Sequence, residues 1–358
     1  VLFALKWTTI YFVYMFVSTK FLPGKKVKGN PTPQNTVLDY KINGLLLFIQ
    51  TQLIFFLSKY YYGATLRPLI THFWSFFVAA NIISFAVSIY LFITGRRSAE
   101  YHPHKQSWTP QWLNDFWFGA TLNPRLAGVD LKLFFYQPSL IGLHLFLLAF
   151  GEYQYDTYGY LTLNMIVFQI FWWLYLFTHY IREDFMITTW DILAENFGFM
   201  LVWGDTVYLP FLYSIIGWFM ADYRVEMKDP WMAALILLHA VSHYVFRSAN
   251  WQKFDFKKYG QNTLIWGQPP KVTKGGLLIS GWWGIGRHLN YTGEIITYLT
   301  FALCSGFESY IPYLLPLSLT FLLTHRAARD DKRCRAKYGE HWDEYCKIAK
   351  FKVFPFIY

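Results

Sequence analysis

Apolar stretches of about 20 residues recur along this chain, and that is the length at which a helix rising about 1.5 Å per residue crosses about 30 Å of hydrocarbon. They fall at about 2–21, 44–62, 72–94, 134–150, 159–178, 205–221, 231–247 and 309–324. Two weaker stretches, near 186–203 and 276–304, are broken by Gly, Asn, Asp and Arg. The expected fold is therefore all-α, a polytopic membrane protein with about ten transmembrane helices. Composition points the same way, because only 15% of the 358 residues are charged against roughly 25% in soluble domains. The opening run from Val1 lacks a basic region and a small-residue cleavage site, so it is read as a first span rather than a signal peptide.

The broken stretches carry the most information. Polar or irregular backbone survives at membrane depth only where it is packed in protein or lines a polar cavity. Two connections are long, from Gly95 to Leu133, rich in Trp, Pro and His, and from Arg247 to Gly276, which holds Lys253, Lys257, Lys258, Lys271 and Lys274. Nine further cations lie in the tail, from Arg326 to Lys352. By the positive-inside rule this tail and the 247–276 loop face the cytoplasm. A first division at 133/134 is expected, with N-terminal helices and an interfacial loop over 1–133 and the catalytic bundle over 134–358.

The net charge of +10 is compatible with nucleic acid, anionic lipid or a phosphorylated ligand. Its gathering around the last two spans favours a ligand or lipid, and no nucleic-acid partner is expected. Cys304, Cys334 and Cys346 have neither disulfide nor zinc spacing, so no metal is expected.

Three polar groups stand out. The first is the run Gly281 to Tyr291, whose glycine order and lack of a βαβ unit exclude a Rossmann loop. An aromatic-lined turn with Arg287, His288 and Asn290 remains, and a belt of interfacial anchors is its structural alternative. The second is Thr324 to Gly339 with Trp342 and Tyr345, where Arg326, Asp330 and Cys334 share a helix face. Helix pairing or lipid attraction is the plain reading, a polyanionic ligand the sharper one. The third runs from Trp172 to Asp205. His179, Tyr180 and Arg182 are expected at an interface, whereas Glu183, Asp191 and Asp205 need buried partners.

These residues closely resemble the sterol reductase family, which includes Δ14-sterol reductase, 7-dehydrocholesterol reductase, sterol Δ24(28)-reductase and the membrane half of the lamin B receptor. The resemblance rests on Gly281 to Tyr291, His325-Arg326 through Arg329-Asp330-Asp331, and Cys334 through Tyr338-Gly339 to Tyr345. Further landmarks follow in order: Leu22-Pro23-Gly24, Tyr40-Lys41, Asn43-Gly44, Leu122-Asn123-Pro124-Arg125, Lys132 to Phe135, Phe197-Gly198, Trp203-Gly204-Asp205 and Leu209-Pro210.

The resemblance implies reduction of a sterol ring double bond with NADPH, Δ14 preferred, by a multi-pass protein of the endoplasmic reticulum in a eukaryote or of the inner membrane in a bacterium. The sterol would enter sideways from the bilayer and the cofactor from the cytoplasmic side. An unactivated alkene accepts hydride only if a proton arrives first or together with it, so a positioned acid is required. Carried over by position, the cofactor site comprises Lys253, Lys257, Leu278, Trp283, Asn290, Tyr291, Asp330, Cys334, Arg335, Ala336, Lys337, Tyr338 and Tyr345. Tyr175 is the implied proton donor, with Asp330 organising the polar network and Glu183 as the next acid. Two positions depart from the pattern: Thr121 stands where relatives often have Glu, and Lys257 where some carry Arg. No chromatin-reading module is visible, so a nuclear scaffold role is not expected.

Three other readings compete. Δ7 reduction shares nearly all these motifs. An isoprenylcysteine-type methyltransferase also uses an Arg-His-x-x-Tyr turn, but with Pro where this chain has Leu289. A non-catalytic sterol-binding scaffold would have no need for a phosphate site.

Overall fold

The computed structural model describes residues 1–31, 36–103, 109–223 and 226–357. Residues 104–108 of the long Trp-, Pro- and His-rich connection lie outside them. Most of the described residues are helical, and the chain forms two compact units, one of residues 1–161 and 172–222, the other of residues 162–171 and 223–358. Among the described residues, five stretches are long and apolar enough to cross a membrane: 2–21, 73–96, 131–158, 199–222 and 229–262. The all-α, polytopic expectation holds.

In the first unit, α1 (Leu2–Phe21) stops at Leu22, which Pro23 holds in extended conformation. A ribbon of β1 (Lys25–Pro31) and β2 (Val37–Ile42) follows, antiparallel with Lys25 opposite Ile42. Next come α2 (Gly44–Tyr62), closed by left-handed Gly63, then α3 (Arg67–Thr71), α4 (Phe73–Arg96) and α5 (Gln111–Trp117). A two-residue ribbon, β3 (Arg125–Leu126) with β4 (Val129–Asp130), leads into α6 (Leu131–Tyr158). Asp130 caps α6, its Oδ1 accepting from the Leu133 N–H at 2.9 Å. Most of α6 is buried, and Phe146 and Phe150 join Phe73, Phe211 and Trp218 in an aromatic core.

The interrupted stretch near 186–203 is not one helix. After α7 (Leu163–Ile181), whose first nine residues belong to the second unit, a 3-10 turn (Glu183–Thr188), α8 (Trp190–Leu193) and α9 (Phe199–Trp203) follow. The carbonyls freed between them are satisfied by Lys132. Fully buried, its Nζ donates to the carbonyls of Asp191 at 2.6 Å, Ile192 at 3.1 Å and Glu195 at 2.5 Å. α9 continues into a π-helical segment, Gly204–Leu212, before α10 (Ile215–Asp222). Pro210 inside that segment cannot donate a backbone bond, and a widened turn accommodates the loss.

The second unit is built on α11 (Asp229–Tyr259) against α13 (Leu289–Leu303), with the short α12 (Trp282–Ile285) between them in sequence. Gly293 lets the two backbones approach: a Cβ there would come within 2.8 Å of the Ser242 carbonyl oxygen. Hydrogen bonds join the same faces, from Thr297 to Ser242 at 3.2 Å and between His239 and Thr300 at 2.8 Å. α14 (Leu314–Tyr338) packs on α13 and ends at Gly339 (φ +54), after which α15 (Glu340–Ile348) folds back. The stretch at 276–304 thus contributes one proper helix, its second half.

Candidate active site

Lys253 and Lys257, expected on a loop, stand instead on the polar extension of α11, which continues helical to Tyr259. A helix leaving an apolar environment need not end at its first charges, and i, i+4 spacing puts both lysines on one face. Opposite them, Gly281 adopts φ +62, a conformation that favours glycine, and a Cβ there would also press on Gln252 and Ile265. That turn lets the Trp282 N–H donate to Gln252 Oε1 at 3.0 Å and Trp283 Nε1 to the Ala249 carbonyl at 2.8 Å. Lys253, one turn beyond Ala249, thereby lays its ammonium 4.2 Å from the centre of the Trp283 ring. Leu278, Ile265 and Phe256 pack around the same tryptophan.

Tyr345 reaches back from α15 and donates to the Trp283 carbonyl at 3.1 Å. Burial raises its hydroxyl above the ordinary phenol range, with Arg287 pulling the other way, so it acts as a donor. Asn290 donates through Nδ2 to Asn250 at 3.0 Å. His288 stacks flat on Tyr291, centroids 5.0 Å apart, with its Nε2 3.9 Å from Asp330 Oδ2. One turn beyond Asp330, burial pushes the Cys334 thiol up to about 11; Asp330 adds to this and Lys253 opposes it. Cys334 is thus a neutral thiol packed against Trp342 and Tyr345 rather than a nucleophile.

Lys253, Leu278, Trp283, Cys334 and Tyr345 are therefore linked by contacts within the second unit, Tyr291 and Asp330 meet through His288, and Asn290 meets Asn250. Arg335, Ala336, Lys337 and Lys257 are exposed: Arg335 pairs with Asp343 at 3.4 Å, and Lys337 lies over the half-buried Tyr338. Lys257 feels the charges of Lys337, Asp330 and Arg333. Three buried atoms within four residues lack any hydrogen-bond partner among the described residues: Arg287 Nε, His288 Nε2 and Asn290 Oδ1. Buried polar atoms are rarely left so. Two donors or acceptors and a cation beside an aromatic wall fit a phosphorylated nucleotide. Arg287 and His288, outside the expected set though in the polar turn the sequence singles out, carry two of these atoms.

Tyr175 and Glu183 belong to the first unit. Tyr175 is buried on α7, edge-on to Trp172 with centroids 5.7 Å apart. Glu183 is buried too, and both its oxygens are engaged: Oε1 accepts from Gln137 at 2.8 Å and Oε2 from the Gly44 N–H at 2.7 Å, at the start of α2. Burial nevertheless holds its carboxyl above the ordinary range, these hydrogen bonds opposing the shift. The folded chain thus binds this proton more tightly than the unfolded chain does. The resulting stability is full below the ordinary carboxylate pKa and is lost as pH rises through the raised folded value. Glu183→Gln removes the titrating group, so thermal unfolding in detergent at stepped pH should show this slope in the wild type and its loss in the variant.

Tyr180, expected at an interface, is instead buried; it stacks on Phe48 and its hydroxyl donates to the Gln137 carbonyl at 3.2 Å. Asp191 accepts from the Tyr136 hydroxyl at 3.1 Å.

Comparison with known proteins decides the family. The family model described as "Ergosterol biosynthesis ERG4/ERG24 family" matches residues 2–358. The chain belongs to this family. Among its relatives, the Delta(14)-sterol reductase of Arabidopsis thaliana is 38% identical, covering 97% of this chain and 94% of that protein. The Delta(14)-sterol reductase of Methylotuvimicrobium alcaliphilum is 36% identical over 94% of this chain and 79% of its own length. The 7-dehydrocholesterol reductase of Xenopus laevis is 31% identical over 99% of this chain and 81% of its own. An ERG4/ERG24 match of this extent leaves no segment to the methyltransferase reading.

Proposed function

We propose that this chain is a membrane-embedded sterol reductase that uses NADPH to reduce a ring carbon–carbon double bond, with Δ14 as the preferred bond. The observation that carries the reading is similarity along nearly the whole chain to two proteins named Delta(14)-sterol reductase. Δ7 reduction is the second reading, favoured by the relative named 7-dehydrocholesterol reductase, which aligns with 99% of this chain.

Lys253 and Lys257 are the residues to hold phosphate, as point charges on one helix face, with Arg335, Lys337 and Tyr338 at the outer edge. Leu278 and Trp283 supply an apolar wall, and the open Asn290 Oδ1 and His288 Nε2 supply hydrogen bonds. NADPH bound there supplies the hydride. The Tyr175 phenol gives its proton to the other alkene carbon and recovers one from solvent. Asp330, beside His288, organises the polar groups. Glu183, with both oxygens already accepting, is assigned to the start of α2 rather than to the proton transfer. The basic tail faces the cytoplasm under the positive-inside rule.

Incubating the purified protein with NADPH and, separately, Δ14, Δ7 and Δ24(28) sterols, with products read by mass spectrometry, tests the reading. A gain of two mass units on the Δ14 sterol alone is expected. Reduction of the Δ7 sterol instead replaces the preferred substrate, and no reduction of any of them overturns the function.

A further inference from the structure

The start of α13 has no cap of its own. His288, the residue preceding it, makes no side-chain hydrogen bond to the helix, and the backbone at 286–288 is non-helical. Yet Asn290 and Tyr291, on the first turn of this helix, belong to the candidate nucleotide site. Besides the bonds to α11, what holds the turn comes from more than 60 residues away in sequence. Gly286 and Phe351 form a parallel bridge, and the Arg287 N–H donates to the Phe351 carbonyl at 2.9 Å. Arg287 Nη2 reaches the Lys350 carbonyl at 3.4 Å, and the Thr292 hydroxyl donates to the carbonyl of fully buried Val353.

Asp331 ties this strap down. Its Oδ1 accepts from Trp342 Nε1 on α15 at 3.3 Å and lies 4.0 Å from Arg287 Nη1, while its Oδ2 is 3.8 Å from Lys352 Nζ. Adjacent helix residues are turned about 100° apart. The two neighbouring acids therefore divide their work, Asp330 beside His288 and Asp331 against the strap.

We propose that Asp331 and residues 350–353 form a latch that sets the position of Asn290 and Tyr291. Asp331, Lys352 and Thr292 are thus positioning residues for nucleotide binding that touch no nucleotide themselves. The nucleotide part rests on the NADPH reading above; the latch itself rests on the contacts alone.

The test uses the full chain with Lys352→Gln, Lys352→Arg and Thr292→Val. NADPH KM and kcat are measured together with hydrogen exchange of the segment 284–296. Lys352→Gln and Thr292→Val should raise the NADPH KM by roughly tenfold, within the usual range of coupling between sites. kcat at saturating NADPH should fall by less than KM rises, Lys352→Arg should restore KM, and exchange in 284–296 should quicken in the first two variants. An unchanged KM in both, or a lowered melting temperature with unchanged kinetics, overturns the proposal. Should the wild type not bind NADPH at all, the function reading fails while exchange alone decides the latch: faster exchange in the variants supports it and unchanged exchange overturns it. Should one variant not accumulate, the other decides.

Discussion

Tyr175→Phe is expected to lower turnover by roughly a hundredfold to ten-thousandfold, the usual contribution of a positioned acid, while NADPH affinity stays within about twofold. The substitution is selective because it removes only a hydroxyl. The ring that packs on Trp172, and the volume it fills in a buried site, are retained. Steady-state kinetics on the sterol with NADPH titration separates the two effects. A variant that keeps full turnover moves the proton transfer to another group, and Asp330 is then the acid to replace. Glu183 is the weaker alternative, since Gln137 and the Gly44 N–H already occupy both of its oxygens.

Lys253→Met is expected to weaken NADPH binding by about 10- to 100-fold, as losing a charge-assisted hydrogen bond of about 1.5–3 kcal/mol does. Methionine keeps an apolar stem against Trp283, so the wall of the site survives and the lost charge is what the experiment reads. Lys257→Met should cost less, because Lys257 is exposed and its attraction is screened by solvent. Titration of NADPH fluorescence at two salt concentrations checks the order. Equal losses, or a larger loss at Lys257, would mean that the outer lysine carries the phosphate.

Five of the expected spans were legible because hydrophobic length is a local property, and the all-α fold follows from it. The rest depended on how far apart the partners lie in sequence. The break near 190–198 was visible from Asp191, Glu195, Asn196 and Gly198, but its stabiliser, Lys132, is 59 residues from Asp191 and sits in what reads as an ordinary helix start. Lys253 and Lys257 read as loop residues because an apolar window ends where charges begin, whereas α11 continues as a polar helix. Tyr180 looked interfacial from its neighbours His179 and Arg182, but the ring faces Phe48 and the Gln137 backbone. Trp283, Asn290 and Asp330 were grouped by the family resemblance, not by spacing alone. The strap from Lys350 to Val353 was not legible, since nothing local in a basic tail says that it pairs with Gly286 and Arg287.

Isotope labelling distinguishes hydride from NADPH and a proton from the protein as they add across one sterol double bond. The purified chain is given the Δ14 sterol with NADPH deuterated at the transferring position, then with ordinary NADPH in deuterated water. One deuterium is expected in the product in each experiment, at opposite carbons of the reduced bond. Absence of label from the cofactor, or both deuteriums arriving from water, would contradict it.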